Sequence, residues 1–150
     1  MVGSKVVDSH ESRNCLLADV GIAKLNKQHL RLASYAVEFQ QIVEDLVARE
    51  PNRDDWRHVD SLFSRISRYT VEHFRDEEAL MVAYEYPDYL PHKKSHEKFV
   101  EELAQVQSQI NNRNVKFKGK LSLLLWNFLY GHINDVDFEY REFFLSKGIN

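Results

Sequence analysis

The sequence predicts an all-α fold, an antiparallel up-down-up-down four-helix bundle preceded by an N-terminal arm. Three observations carry this. Apolar residues recur at alternating gaps of three and four along four separate stretches, the signature of a helix with one buried stripe. The stretches are joined by short polar connections, which makes successive helices antiparallel neighbours. Glycine and proline number only five and three in 150 residues, and no segment alternates with the period of two that a strand requires.

Taken in order, residues 1–17 read as a flexible arm, and residues 18–150 as the folded domain. The arm opens MVGSKVVDSHESRN, which lacks the apolar centre of a signal peptide. The first helix starts near Ile22, with Leu25, His29, Leu32, Ala36, Phe39, Val43 and Leu46 on its stripe. Pro51 in REPNRD interrupts the pattern, and Asn52 or Asp54 can cap the next helix. That second helix is predicted from about Asp55 to Ala83, with Trp56, Val59, Phe63, Ile66, Thr70, His73, Glu77 and Leu80 or Met81 inward. Pro87 and Pro91 mark the next turn. The third helix begins near His92 and carries His96, Phe99, Leu103, Val106 and Ile110. After NNRNVKFKGK, a fourth runs from about Lys120 to Leu145 on Leu121, Leu125, Leu129, His132, Val136, Tyr140 and Phe143.

Charge and composition exclude several classes. The net charge of −3, with both signs interspersed, offers no basic field for nucleic acid or an anionic membrane surface. The longest apolar run, LLLWNFLY, is too short to span a bilayer. A single cysteine, Cys15, rules out an internal disulfide, so a reducing, cytoplasmic setting is expected. A monomer is expected, with an oligomer as the alternative.

The chemistry lies between Tyr69 and Phe99. His73 and Glu77 are four residues apart, as are His92 and His96, so each pair projects from one helix face across the intervening turn. A lone histidine on an apolar stripe is ordinarily a hydrogen-bonded core residue, and His29 or His132 alone would be read that way. His58 lies off the stripe, and His10 falls in the arm. The set of five inward histidines is different. Burying them with a carboxylate and no partner would cost several kcal/mol, roughly what a metal cluster removes. Five nitrogens and two carboxylates exceed one tetrahedral zinc and suit two octahedral first-row ions bridged by carboxylates, iron or manganese before others. The second carboxylate is expected to be Asp137, in preference to Asp135 and Glu139. Its spacing of five from His132 overshoots a turn by about 140°. Either a wide-angled approach or a π-bulge between the two has to correct the register.

These residues resemble the hemerythrin family in its single-domain bacterial form. HFRDEEALM, YP and HKKSHEKF are similar to that family's H-F-x-x-E-E-x-x-M, Y-P and H-x-x-x-H-x-x-F; GHINDVD resembles its H-I-x-x-x-D, and NKQHLRL its D-x-Q-H-x-x-L. The resemblance covers roughly residues 20–145. It implies two Fe ions, cycling between Fe2+ and Fe3+. His92, His96 and His132 would saturate one, while His29 and His73 hold the other and leave a position open. Glu77, Asp137 and an oxo or hydroxo group would bridge both. It further implies O2 as the partner at the open iron, with NO or small anions such as azide as substitutes. Leu129, Ile133, Phe74 and Trp126 are expected to line a dry pocket there. Asn26 stands where the family usually has Asp, and Phe128 where bacterial members often have Trp. The functional expectation is a non-enzymatic O2 carrier, store or delivery protein. The alternatives are an O2, NO or redox sensor and, last, a di-iron oxidase or peroxidase; that would need a proton donor near the open iron, for which Tyr69 and Glu78 are the nearest candidates, though both read as structural or solvated residues.

Overall fold

The computed structural model describes residues 17–150, so His10, Cys15 and nearly all of the expected arm lie outside the described residues. Helix α1 spans Ala23–Asp45, α2 Arg53–Ala83, α3 Tyr89–Asn111 and α4 Phe117–Asn127. From Phe128 to Asp137 the backbone is a π-helix. A 3₁₀ turn, Phe138–Tyr140, and α5, Arg141–Ser146, complete a continuous fourth rod. Neighbours pack α1 on α2, α2 on α3, α3 on α4, and α4 with the π segment back on α1, which closes a four-helix bundle. There is no strand among the described residues.

Local chemistry fixes the helix ends. Asn52 Oδ1 accepts from the Asp54 and Asp55 amides at 2.9 and 3.0 Å, and Asp55 Oδ2 accepts from the Asn52 amide at 2.7 Å. This reciprocal box starts α2. Arg49 clamps the same carboxylate, with Nη2 at 3.0 Å from Asp55 Oδ1. α2 and α3 end on left-handed residues, Glu85 at φ 54° and Arg113 at φ 51°. The next amides, of Tyr86 and Asn114, then reach back to the carbonyls of Met81 and Gln109 at 2.8 Å. Before α1, Gly21 turns the chain at φ 81°, a conformation its lack of a Cβ permits. The segment ahead of it is tied across the bundle by the Ala18 amide, which donates to Asn134 Oδ1 at 2.7 Å. Asn26 organises this approach: its Oδ1 accepts from the Val20 amide at 3.0 Å and its Nδ2 donates to Asp19 at 2.7 Å.

The expected stripes hold on α1, α2 and α3 except that Val43 and Trp56 are half-buried, whereas the fourth rod shifts its buried face. Through Leu121, Leu125 and Leu129 the buried positions follow α spacing. Beyond them the buried residues are Ile133, Asp137, Tyr140 and Phe144, while Val136 and Phe143 are only partly covered. The cause is the π segment, whose i→i+5 bonding takes up an extra residue per turn and rotates everything downstream.

The core is divided. A large apolar cluster fills one end, from Leu46, Val59 and Ile110 up to Phe74, Phe99, Leu129 and Ile133. A smaller one, Val20, Ile22, Leu25, Met81, Tyr86, Tyr140 and Phe144, fills the other. On every rod the residues between the two clusters are polar: His29; His73 and Glu77; His92 and His96; His132 and Asp137.

Candidate metal centre

Each rod brings its polar residues into that layer by helical spacing, and on the fourth the π segment does so. It turns the five-residue interval between His132 and Asp137 onto one face, placing His132 Nε2 2.8 Å from Asp137 Oδ1. Asp135 and Glu139, the competing carboxylates, are exposed.

Seven side chains converge. His92 Nε2 lies 3.0 Å from Asp137 Oδ1 and 3.3 Å from Glu77 Oε2, and His96 Nε2 lies 3.0 Å from Glu77 Oε2. On the other side His29 Nε2 is 3.2 Å from both Asp137 Oδ2 and His73 Nε2. The donors divide into two groups, each with its ligand atoms within 4.8 Å of one another: Glu77, His92, His96, His132 and Asp137; and His29, His73, Glu77 and Asp137. Both groups contain the same two carboxylates.

The donor atoms pass a test of fit to a pair of cations. Among the described residues, nine buried side-chain polar atoms complete no hydrogen bond, and seven belong to this set: His29 Nδ1, Glu77 Oε2, the Nε2 atoms of His92, His96 and His132, and both Asp137 oxygens. Buried polar groups in folded proteins are otherwise almost always satisfied. Here all but one of the seven point inward, where divalent ions would satisfy them together.

Electrostatics puts most of the groups in ligand form. Burial alone would raise the Glu77 and Asp137 carboxyls. The surrounding imidazoles outweigh it, His73, His92 and His96 around Glu77 and His132, His29 and His92 around Asp137, and hold both below the usual range. Burial takes His73 down to about 4, so it is neutral. His92 is pushed up to about 9; burial opposes its charge, but Asp137 and Glu77 outweigh burial. A cation between the same oxygens would supply that positive charge instead, releasing the proton.

A second layer orients the rings. His73 Nδ1 donates to Gln28 Oε1 at 2.8 Å, and Gln28 Nε2 donates to Asp76 Oδ2 at 2.7 Å, which also meets Lys24 Nζ at 3.0 Å. His96 Nδ1 donates to Glu78 Oε1 at 2.8 Å. Both bonds leave Nε2 as the inward lone pair. Tyr140 donates its hydroxyl to Glu77 Oε1 at 2.5 Å; burial first, then Glu77 and Asp137, hold its proton well above the normal phenol range. Sequence reasoning missed Gln28 and Tyr140 as partners. Gln28 is off the stripe, signalled only by its match to the Q of D-x-Q-H-x-x-L, and Tyr140 is indistinguishable in sequence from the other stripe aromatics.

Of the expected pocket residues, Leu129 and Ile133 are buried in the larger apolar cluster. The Phe74 ring stacks on His96, with centroids 3.8 Å apart and planes 7° apart, and Phe128 stacks on His132 at 5.1 Å. Trp126 stands further out, half-buried and stacked on Tyr130 at 5.4 Å. Tyr69 packs edge-on against Tyr35, away from a proton-donor role, and Glu78 is committed to His96.

Comparison with known proteins agrees with this arrangement. Residues 20–143 match the family described as the hemerythrin HHE cation binding domain. The chain is 36% identical to a myohemerythrin of Theromyzon tessulatum over 77 residues, 51% of this chain and 58% of that protein. It is 30% identical to a myohemerythrin of Sipunculus nudus over the same length and shares. It is 31% identical to a hemerythrin of Themiste dyscrita over 78 residues, 52% of this chain and 58% of that one. The chain thus spans somewhat more than half the length of these curated relatives. No solved structure gives a significant match. With the match covering all four rods, this chain belongs to the hemerythrin family.

Proposed function

We propose that this chain binds two iron ions and takes up O2 reversibly, as a carrier, store or delivery protein and not as an enzyme. The observation that carries the reading is the pair of donor groups sharing Glu77 and Asp137. Three histidines, His92, His96 and His132, serve one ion; two, His29 and His73, serve the other, which leaves that ion one ligand short. Two ferrous ions side by side supply the electrons that O2 binding exchanges. The protein's own part is to orient and to keep dry. Glu77 and Asp137 span both positions, and the Tyr140 hydroxyl fixes the angle of Glu77. Gln28 and Glu78 hold His73 and His96 in one tautomer. Phe74 and Phe128 wall the layer, stacking on His96 and His132 and lying near His73 as well, and Leu129 and Ile133 belong to the buried apolar cluster at that end, which keeps water out. Exclusion of water and anions is what makes release of O2 possible, because hydration of the site favours conversion to the ferric form.

The test is anaerobic reconstitution with ferrous iron, then O2 exposure and removal, followed in the visible range. Two irons per chain and a charge-transfer band that appears with O2 and disappears on its removal support the reading. Immediate, permanent ferric conversion refutes reversible binding and favours redox sensing. Asp137→Ala tests the shared bridge: a variant that keeps two irons and the parental spectrum shows that Asp137 is not one.

A further inference from the structure

A closed bundle whose metal ligands are buried must still let ions in. Six of the seven converging residues are at most 3% exposed. His132 is the exception, with 11% of its side chain accessible. It opens on a cavity of about 270 Å³ between α3 and the fourth rod, whose lining includes Ser95, Lys98, Glu102, Asn127 and Phe128. Lys98 is exposed and Glu102 half-buried, so the cavity reaches solvent through a charged mouth.

His132 is also held more loosely through Nδ1 than His73 or His96. His73 and His96 each donate from Nδ1 at 2.8 Å, whereas His132 Nδ1 has only Ser95 Oγ at 3.4 Å. That hydroxyl donates to the His92 carbonyl at 2.5 Å, so it can only accept from His132 Nδ1, and at 3.4 Å that bond is long. His132 further sits within the π segment, where the backbone departs from its most stable pattern. A rotation of that side chain would join the cavity to the layer without separating helices.

The larger cavity, about 650 Å³ between α2 and α3, reaches His96 but ends on a sealed floor. The Phe74 ring covers one face of His96 at 3.8 Å, and Glu78 pins its Nδ1.

Resting on the di-iron reading, we propose that His132 is the gate through which ferrous ions enter and leave, and that Lys98 and Glu102 set the field a passing cation meets. The test uses the iron-loaded, reduced protein under anaerobic conditions, with release to an excess of a colorimetric ferrous chelator followed in time. Lys98→Glu is expected to speed release and Glu102→Lys to slow it, each about three- to tenfold at low salt, from a two-unit charge change within several ångströms of the ion's path. Both differences shrink in high salt. The matched swaps at the other cavity, Lys93→Glu and Glu97→Lys, are expected to alter release less than about twofold, since a charge there lies off the path. Equal rates for the first pair and the parent, or equal effects from the two pairs, overturn the proposal. A parent protein that takes up fewer than two irons fails the di-iron reading instead, before any release is measured.

Discussion

Removing the metal from the loaded protein is expected to lower its melting temperature substantially, and the size follows from the orphaned atoms. Six of them face the metal positions: Glu77 Oε2, the Nε2 atoms of His92, His96 and His132, and the two Asp137 oxygens. Each buried polar atom without a partner costs about 1–3 kcal/mol, so six amount to roughly 6–18 kcal/mol. Close approaches such as His132 to Asp137 at 2.8 Å recover part of this. If they recover half, about 3–9 kcal/mol remains, to be set against a total stability of about 5–15 kcal/mol for a typical domain. Near this size each kcal/mol is worth about 2–4 °C, which gives a fall of roughly 15–20 °C and no less than about 6 °C. The assay is differential scanning calorimetry on the loaded protein and on the same sample after anaerobic dialysis against a ferrous chelator. Melting temperatures within about 3 °C of each other refute the reasoning, because the polar layer would then be satisfied without ions.

Tyr140→Phe deletes the hydroxyl that meets Glu77 Oε1 and is expected to cost about 1.5–3 kcal/mol in denaturant unfolding, the usual range for a bond to a charged group, and to shift the visible bands of the loaded protein. Gly131→Ala is expected to be tolerated or to stabilise by about 0.5–1 kcal/mol, because a Cβ there meets no neighbouring atom within 4 Å; loss of iron in that variant would show that the space beside His132 does not accept a Cβ. Asp55 is held at about 2, below its ordinary 3.8, chiefly by Arg49 and then by the Asn52 amide. The unfolded chain therefore takes up this proton first, so the contribution of Asp55 is full above about pH 4 and declines toward pH 2. Asp55→Asn lowers the melting temperature at neutral pH, and the gap to the parent closes on acidification; a gap that widens in acid contradicts the capping role.

Much of the fold was legible because three of the rods are plain amphipathic helices. Spacing of three and four located α1, α2 and α3, and of the two cap candidates, Asn52 and Asp54, it is Asn52 that starts α2. The seven polar residues singled out from the sequence also converge in the structure, since i and i+4 spacing suffices on α2 and α3. On the fourth rod the five-residue gap between His132 and Asp137 signalled that the register had to change. Its extent was not readable: ten π residues, not a single bulge, move burial from Val136 and Phe143 to Ile133 and Phe144. Periodicity assumes one pitch and cannot report where the pitch alters. Contacts of single atoms were likewise hidden. Gln28 reaches His73 across 45 residues, and no local pattern encodes such a bond.

The split of the polar layer along the chain has a consequence for how the molecule is made. His73, Glu77, His92 and His96 all lie on the α2–α3 hairpin, whereas His29 is 44 residues ahead of His73 and Asp137 arrives only with the last rod. A helical hairpin is a local structure and forms quickly. It presents three imidazoles and one carboxylate before the fourth rod exists. The second shared oxygen donor is synthesised last, so neither ion position is complete until that rod has docked. If the proposed di-iron reading holds, ion capture would mark the end of assembly, and a chain stalled before Asp137 is made, or unable to dock it, would be distinguishable from a finished one by its failure to retain iron.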